Sequence, residues 1–272
     1  MLLVIGGLGS AGCQGKTQEQ VVTTIYPLQM IASEIAGDQV SVRGLVPPGA
    51  NPHTYEPTPR QIAALSSAEI VLFAGPALEP WVVRSAGKNS VLLDASEMGQ
   101  AVENDPHVWL DPVRAKAIAR GLEKAMAEKW PNKKEKFQEN LKSFCARVDS
   151  FDRWFRAQMD SIPDKRFISV HPAWRYFSER YGLVEASSLN ITHGSEVSPG
   201  TLERVINTMN QQGVRPVFGS VRGNPDEVSV LEKEAGAKVA LLDPIGDPED
   251  PERSDYISLM FYNAKEILRV MR

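Results

Sequence analysis

Cysteine is nearly absent from this chain, and so is any long apolar run. The 272 residues contain two cysteines, Cys13 near the start and Cys145 within a long helical pattern. This count does not support the disulfide framework typical of small secreted domains. The apolar opening stretch, residues 1–12, is shorter than the roughly 20 residues that a membrane-spanning helix needs. The sequence therefore predicts neither a disulfide scaffold nor a transmembrane helix at this position.

An excess of positive charge is lacking as well. Thirty Lys and Arg residues against 34 Asp and Glu residues give a net charge of −4. A protein that neutralises nucleic-acid phosphates needs a basic balance, so no nucleic-acid partner is expected. The 42% hydrophobic content over 272 residues is enough for one large α/β domain or two lobes, which argues against disorder.

The first 20 residues have a pattern typical of secreted lipoproteins. Residues 1–12 suit the apolar core of a signal peptide, and the Ser-Ala-Gly-Cys sequence that ends at Cys13 resembles a lipobox. We therefore expect lipidation of Cys13, a polar tether up to residue 20, and an extracytoplasmic protein anchored to the membrane. The alternative interpretation is an N-terminal strand with a buried cysteine.

From residue 21 onward, β-branched runs alternate with helical stretches, which predicts βα units and mainly parallel sheets. Two sets of four strands are expected, at 21–25, 40–46, 69–74 and 90–95, and at 166–170, 184–189, 215–221 and 237–243. Helix starts are predicted at Pro27, Thr58-Pro59, Asp111-Pro112, Ser198-Pro199, Asn224-Pro225 and Ser254.

A long amphipathic pattern separates the two sets. Its apolar positions are spaced three or four residues apart, at Phe137, Leu141, Phe144, Val148, Phe151, Phe155, Met159 and Ile162. This spacing predicts one unbroken helix over 133–162, roughly 45 Å long. The expected fold is therefore two α/β lobes, 21–131 and 163–272, each with a mainly parallel sheet flanked by helices. A long rigid helix within 132–162 would join them.

Histidine is rare, and three of the four histidines are expected next to strand ends or helix starts. These are His53, His107 and His171, and Asp243 ends the last predicted strand. Ligands bind outside the carboxyl ends of parallel strands, so these side chains can converge. Three imidazoles and one carboxylate suit Zn²⁺ and also accept Mn²⁺ or Fe²⁺. The sequence separations are too long for a local motif, and each His could instead cap a helix or bind a loop.

Four segments resemble the metal-site motifs of zinc- and manganese-binding solute-binding proteins of ABC transporters. They are Asn-Pro-His-Thr-Tyr-Glu-Pro-Thr-Pro at 51–59, Asp-Pro-His-Val-Trp-Leu-Asp-Pro at 105–112, His-Pro-Ala-Trp-Arg-Tyr-Phe at 171–177 and Leu-Asp-Pro-Ile-Gly at 242–246. The resemblance extends over about 21–272 and includes Gly-Pro-Ala-Leu-Glu-Pro-Trp at 75–81.

This resemblance implies a monomer that captures a divalent metal ion between two lobes and delivers it to an ABC membrane permease. It implies His53, His107, His171 and Asp243 as the metal ligands. Manganese-type relatives usually have Glu at the third of these positions, so His171 favours Zn²⁺, with Mn²⁺ or Fe²⁺ as the alternative cargo.

Two other functional classes stay open. A zinc-dependent hydrolase also uses three protein ligands, but no His-Glu-x-x-His motif occurs and four protein ligands leave no position for water. A surface adhesin is the second class, although nothing in the sequence indicates a receptor. The fourth histidine, His193, is interpreted as a surface-loop residue, and the acidic run 247–252 as a solvated turn.

Overall fold

A computed structural model describes residues 20–190 and 197–272. The predictions for Cys13 and His193 lie outside these residues. The strands are β1 Val21–Thr23, β2 Val42–Gly44, β3 Ile70–Phe73, β4 Val91–Asp94, β5 Arg166–Ser169, β6 Val184–Ser188, β7 Pro216–Ser220 and β8 Lys238–Leu242. The helices are α1 Tyr26–Ala36, α2 Pro59–Ser67, α3 Pro80–Ser85, α4 Ala95–Met98, α5 Pro112–Lys129, α6 Lys134–Asp160, α7 Arg175–Tyr181, α8 Pro199–Gln212, α9 Pro225–Ala235 and α10 Tyr256–Met271.

The strands form two four-stranded sheets with the same topology. Their orders are β2-β1-β3-β4 and β6-β5-β7-β8, and every neighbouring pair is parallel. All eight predicted strands are present, and the predicted two-lobed α/β fold is confirmed. Because the strands within each sheet are parallel, the loops that follow them leave from one edge, which we call the carboxyl edge of that sheet.

The helix starts follow local capping chemistry. Thr58 and Gln61 form a capping box at α2, and the Asp111 carboxylate accepts the Val113 N–H at the start of α5. One predicted start is displaced: α10 is capped by Asp255 rather than by Ser254. The Asp255 carboxylate accepts the amide N–H groups of the second and third residues of the helix, which a carboxylate does well.

Helix α6 is the predicted strut, and it packs at the centre of the molecule. Most of its apolar stripe is buried, including Phe144 and Phe155, while Leu141 is half-buried. The main apolar cluster around it contains side chains from α1 and α5 of the first lobe and from α7 and α10 of the second. This core contains residues from both sides of the predicted lobe boundaries near 131 and 162. Those boundaries therefore stay a prediction.

Helix α6 also carries Cys145, which is a buried free thiol. Within the described part of the chain, no helix combines the length and the hydropathy required to cross a bilayer.

Candidate metal centre

Three of the four predicted ligands meet at the carboxyl edges of the two sheets. The imidazole rings of His53, His107 and His171 lie with their centroids 5.4 to 5.7 Å apart. One ring nitrogen from each histidine lies within 4.8 Å of the other two. His107 and His171 are buried, whereas His53 is exposed. The three residues come from both lobes, so a metal ion bound by them would bridge the lobes.

His107 is oriented by the residue two positions before it. The Asp105 carboxylate accepts hydrogen bonds from the His107 backbone N–H at 3.1 Å and from ring Nδ1 at 2.7 Å. A carboxylate on Nδ1 directs the lone pair of Nε2 toward the opposite side of the ring, where a metal can bind. Asp105 is therefore a positioning residue for the candidate ligand.

Hydrogen bonds between the two lobes hold the segment around His107. The Tyr176 hydroxyl accepts the Val102 N–H at 2.9 Å and donates to the Asp105 carbonyl at 2.8 Å. The indole Nε1 of Trp109 donates to the Pro244 carbonyl at 2.8 Å, also across the lobes. These bonds join the His107 segment to α7 and to the loop after β8 of the second lobe.

His53 and His171 reach the centre in different ways. His171 lies two residues after the end of β5, and its carbonyl accepts the Ala173 N–H at 2.9 Å in a tight turn. His53 lies in the long loop between β2 and α2, where its backbone N–H donates to the Asn51 side chain at 3.0 Å. Gln61 fastens the two ends of this loop through the Leu45 carbonyl and the Thr58 N–H. The loop is therefore anchored at its ends, with the exposed imidazole between them.

Asp243, the fourth predicted ligand, has other partners. Its side chain is fully buried, and the Arg222 and Arg253 guanidinium groups donate to its two oxygens at 2.6 and 2.8 Å. The backbone N–H groups of Ile245 and Gly246 also donate to Oδ1. Among the described residues, the candidate ligand atoms that lie within 4.8 Å of one another belong to the three histidines and not to Asp243. The role of Asp243 as a ligand stays a prediction.

The donor set and the space around it fit a small divalent transition metal. A cavity of about 90 Å³ is lined by the three histidines, Leu78, Trp109, Arg222 and their neighbours. In a tetrahedral zinc site with Zn–N bonds of about 2.0–2.1 Å, the nitrogens lie about 3.4 Å apart. A small inward movement of the imidazoles would reach that geometry, and neutral imidazoles suit Zn²⁺ better than the hard cations Ca²⁺ or Mg²⁺.

A second fully buried carboxyl group, Glu79, lies in the loop after β3. Its Oε2 accepts the Ala74 N–H at 2.7 Å. Burial raises the pKa of Glu79 from 4.5 to about 7, and hydrogen bonds from backbone amides only partly offset that rise. Neither Glu79 Oε1 nor Thr24 Oγ1 has a hydrogen-bond partner among the described residues. Desolvation is therefore the dominant influence on this carboxyl group.

Sequence reasoning missed three residues that shape the centre. Asp105 could have been found from its position two residues before a candidate ligand, since a carboxylate there can reach Nδ1. Arg222 and Arg253 carry no such local signal, because their common partner Asp243 is 21 and 10 residues away. Only the folded chain shows that Asp243 is shared between two cations.

Comparison with known proteins identifies the family. The family model described as zinc-uptake complex component A, periplasmic (ZnuA) matches residues 21–270. The chain belongs to this family, and the resemblance predicted from its motifs is confirmed.

Individual relatives support this assignment. The zinc-binding lipoprotein AdcA of Streptococcus pneumoniae is 26% identical over 91% of this chain, which spans about half (54%) of that protein's length. A putative metal-binding protein of Thermotoga maritima is 31% identical, with 85% of each chain covered. The solved structure of the laminin-binding protein of Streptococcus agalactiae, described as an adhesin with metal-transporting activity, superposes with a TM-score of 0.83 at 26% identity. That match covers 93% of this chain and all of the other.

Proposed function

We propose that this member of the ZnuA family captures Zn²⁺ outside the cytoplasm and delivers it to an ABC import permease. The observation that carries the proposal is the convergence of three imidazoles from two lobes, with one ring nitrogen from each within 4.8 Å. The family description as a zinc-uptake component and the zinc-binding relative support the choice of metal. The function is binding and release rather than catalysis.

The proposed ligands are His53, His107 and His171. Asp243 could serve as the fourth ligand only after exchanging part of its contacts with Arg222 and Arg253 for the metal ion. Mn²⁺ and Fe²⁺ are the alternative cargoes. A site with three imidazoles ranks them below Zn²⁺, because divalent metals of the first row bind nitrogen ligands in the Irving–Williams order.

Equilibrium competition against a chromophoric zinc chelator tests the ligand assignment. Replacing His107 with Ala should weaken Zn²⁺ binding about 100-fold or more, because the apparent binding energy of 10 or more kcal/mol is shared among only a few ligands. His193→Ala is the matched control, since it removes the one histidine that is not assigned to the centre. Equal losses in the two variants would contradict the assignment, and Mn²⁺ outcompeting Zn²⁺ would contradict the choice of metal.

We also propose that a lipid on Cys13 holds the protein at the membrane where the permease lies. The proposal is supported by the lipobox-like sequence before Cys13 and by the lipoprotein relative from Streptococcus pneumoniae. After a high-salt wash that releases electrostatically bound protein, Cys13→Ser should move the protein from the membrane fraction to the soluble fraction and remove the mass of the lipid. An unchanged mass and location would show that Cys13 is not the anchor.

A further inference from the structure

A basic cleft lies at the amino edge of the first sheet, at the opposite end of its strands from the candidate metal centre. The cleft has a volume of about 650 Å³ and opens between α2, the loop before β4 and the end of α5. Four cationic side chains line it, namely Arg43, Arg60, Lys88 and Lys129. Glu69 is the single carboxylate among the described residues of the lining, and it pairs with Lys129 at 3.3 Å. The cleft therefore carries a clear excess of positive charge.

This local excess runs against the charge of the whole chain, which is −4. Arg60 and Lys88 are exposed. The lining contains no large apolar side chain, because its uncharged residues are alanines, serines, Gly87 and Asn89. Such a surface cannot bury much apolar area on a partner. It suits a ligand with several dispersed negative charges, since a concave basic surface concentrates anions.

The position of the cleft relative to the start of the described chain decides which anion is most relevant. Gln20 is held at the same amino edge: its carbonyl accepts the Ile70 N–H at 3.0 Å, and its side chain accepts the Ser41 N–H at 2.9 Å. Glu69 of the cleft directly precedes Ile70. Cys13 lies only seven residues before Gln20, a separation that an extended chain spans in at most about 25 Å.

We propose that this basic cleft docks the lipid-anchored protein onto anionic headgroups of the membrane that carries it. The inference depends on the proposed lipidation of Cys13, because the short tether keeps the cleft within reach of the bilayer at a high effective concentration. Clustered Lys and Arg residues bind anionic lipid surfaces through additive, salt-sensitive attraction. Since the metal centre lies at the other edge of the sheet, the docked protein presents that centre to the surroundings for loading.

Vesicle sedimentation with the Cys13→Ser chain tests the docking surface without the lipid. Vesicles of phosphatidylglycerol and phosphatidylcholine should bind this chain at 20 mM salt, and pure phosphatidylcholine should not. The double variant Arg60→Glu/Lys88→Glu should reduce binding at least tenfold, because it converts two attractive charges to repulsive ones. Residues 1–12 are common to every variant, and the pure phosphatidylcholine vesicles measure any membrane insertion of that stretch.

The matched control is Lys233→Glu/Lys238→Glu, which makes the same charge change on exposed positions of the second lobe. An equal loss in the control would overturn the proposal, because it would show attraction by net charge alone. Competition by 5 mM inorganic phosphate at constant ionic strength separates the sources of the anion. Complete displacement by phosphate would identify a free-anion site and overturn docking on lipid, whereas persistent vesicle binding supports it.

Zinc competition measurements on the Arg60→Glu/Lys88→Glu variant separate this inference from the proposed function. We expect Zn²⁺ affinity to change less than twofold, since neither residue lines the candidate metal centre. Retained zinc binding also shows that the variant is folded. Loss of vesicle binding with intact zinc binding is the expected result, and vesicle binding that matches the parent chain would overturn the docking surface while leaving metal capture unaffected.

Discussion

The two lobes each bury one carboxyl group completely at the carboxyl edge of the sheet, and they treat it in opposite ways. Asp243 follows the edge strand β8 and is held by Arg222 and Arg253. Glu79 lies in the loop after β3 of the first lobe, and among the described residues no Lys or Arg pairs with it. Two sheets of the same topology therefore bury one carboxylate that is compensated by paired cations and one carboxyl group that is desolvated without a cationic partner. The strand order places both groups at the carboxyl edge of a sheet, whereas the surrounding loops determine whether a cation pairs with each of them.

The largest effect is expected from removing the compensated charge. Asp243→Asn leaves two guanidinium groups facing a neutral amide, so the free energy of unfolding should fall by about 3–5 kcal/mol. Asp250→Asn is the control, because Asp250 also pairs with Arg253, at 2.7 Å, but is about one-third exposed. Its loss should stay below about 1 kcal/mol. Urea unfolding of both variants measures this difference, and similar losses would show that the Asp243 pairs contribute no more than surface pairs.

The uncompensated carboxyl group predicts a dependence of stability on pH. The folded pKa of Glu79, about 7, exceeds the ordinary value of 4.5, so the folded protein holds a proton that the unfolded chain releases between these values. The stability from this group is thus fully present below pH 4.5 and is lost as the pH rises through 7. Glu79→Gln stays neutral, so its unfolding free energy relative to the parent should grow by about 3 kcal/mol from pH 5 to 8.

Unfolding in urea at several pH values measures the Glu79 effect. Glu97→Gln, at an exposed position of α4, is the control and should show a flat difference over the same range. A flat difference for Glu79→Gln as well would mean that Glu79 is ionised in the folded protein at neutral pH.

A smaller effect is expected from the positioning carboxylate of the metal centre. Asp105→Asn keeps the size of the side chain but weakens its hold on His107 Nδ1, so Zn²⁺ affinity should fall about 10- to 100-fold. Glu103→Gln is the nearby control, because Glu103 is exposed and pairs with Arg175 of the second lobe. If both variants bind zinc equally well, the Asp105 contact does not orient the ligand.

The smallest effect concerns movement of the lobes against each other. Helix α6 contains no internal Gly or Pro and its buried stripe packs against both lobes, so bending it would expose packed aromatic side chains. The radius of gyration, expected to be about 18 Å, should therefore change by less than about 1 Å on adding Zn²⁺. Small-angle scattering measures this change, and a larger decrease would show that the strut is not rigid.

The amino-acid sequence by itself determined the eight strands, the strut helix and the residues most suited to bind a metal. Each of these has a local physical signal. β-branched runs predict the strands, apolar residues three and four apart predict α6, and His53, His107 and His171 lie where strands end or helices begin. Four short motifs indicated the protein family, which the comparison with known proteins confirmed.

The tertiary structure alone decided the environment of the two buried carboxyl groups and the meeting of distant cations. Arg222 reaches Asp243 because β7 and β8 are neighbours in the second sheet. Arg43, Arg60, Lys88 and Lys129 come together only where α2, β2 and the end of α5 surround one edge of the first sheet. Attraction between charges depends on distance in space and on exclusion of water, and neither quantity can be read from separation along the chain.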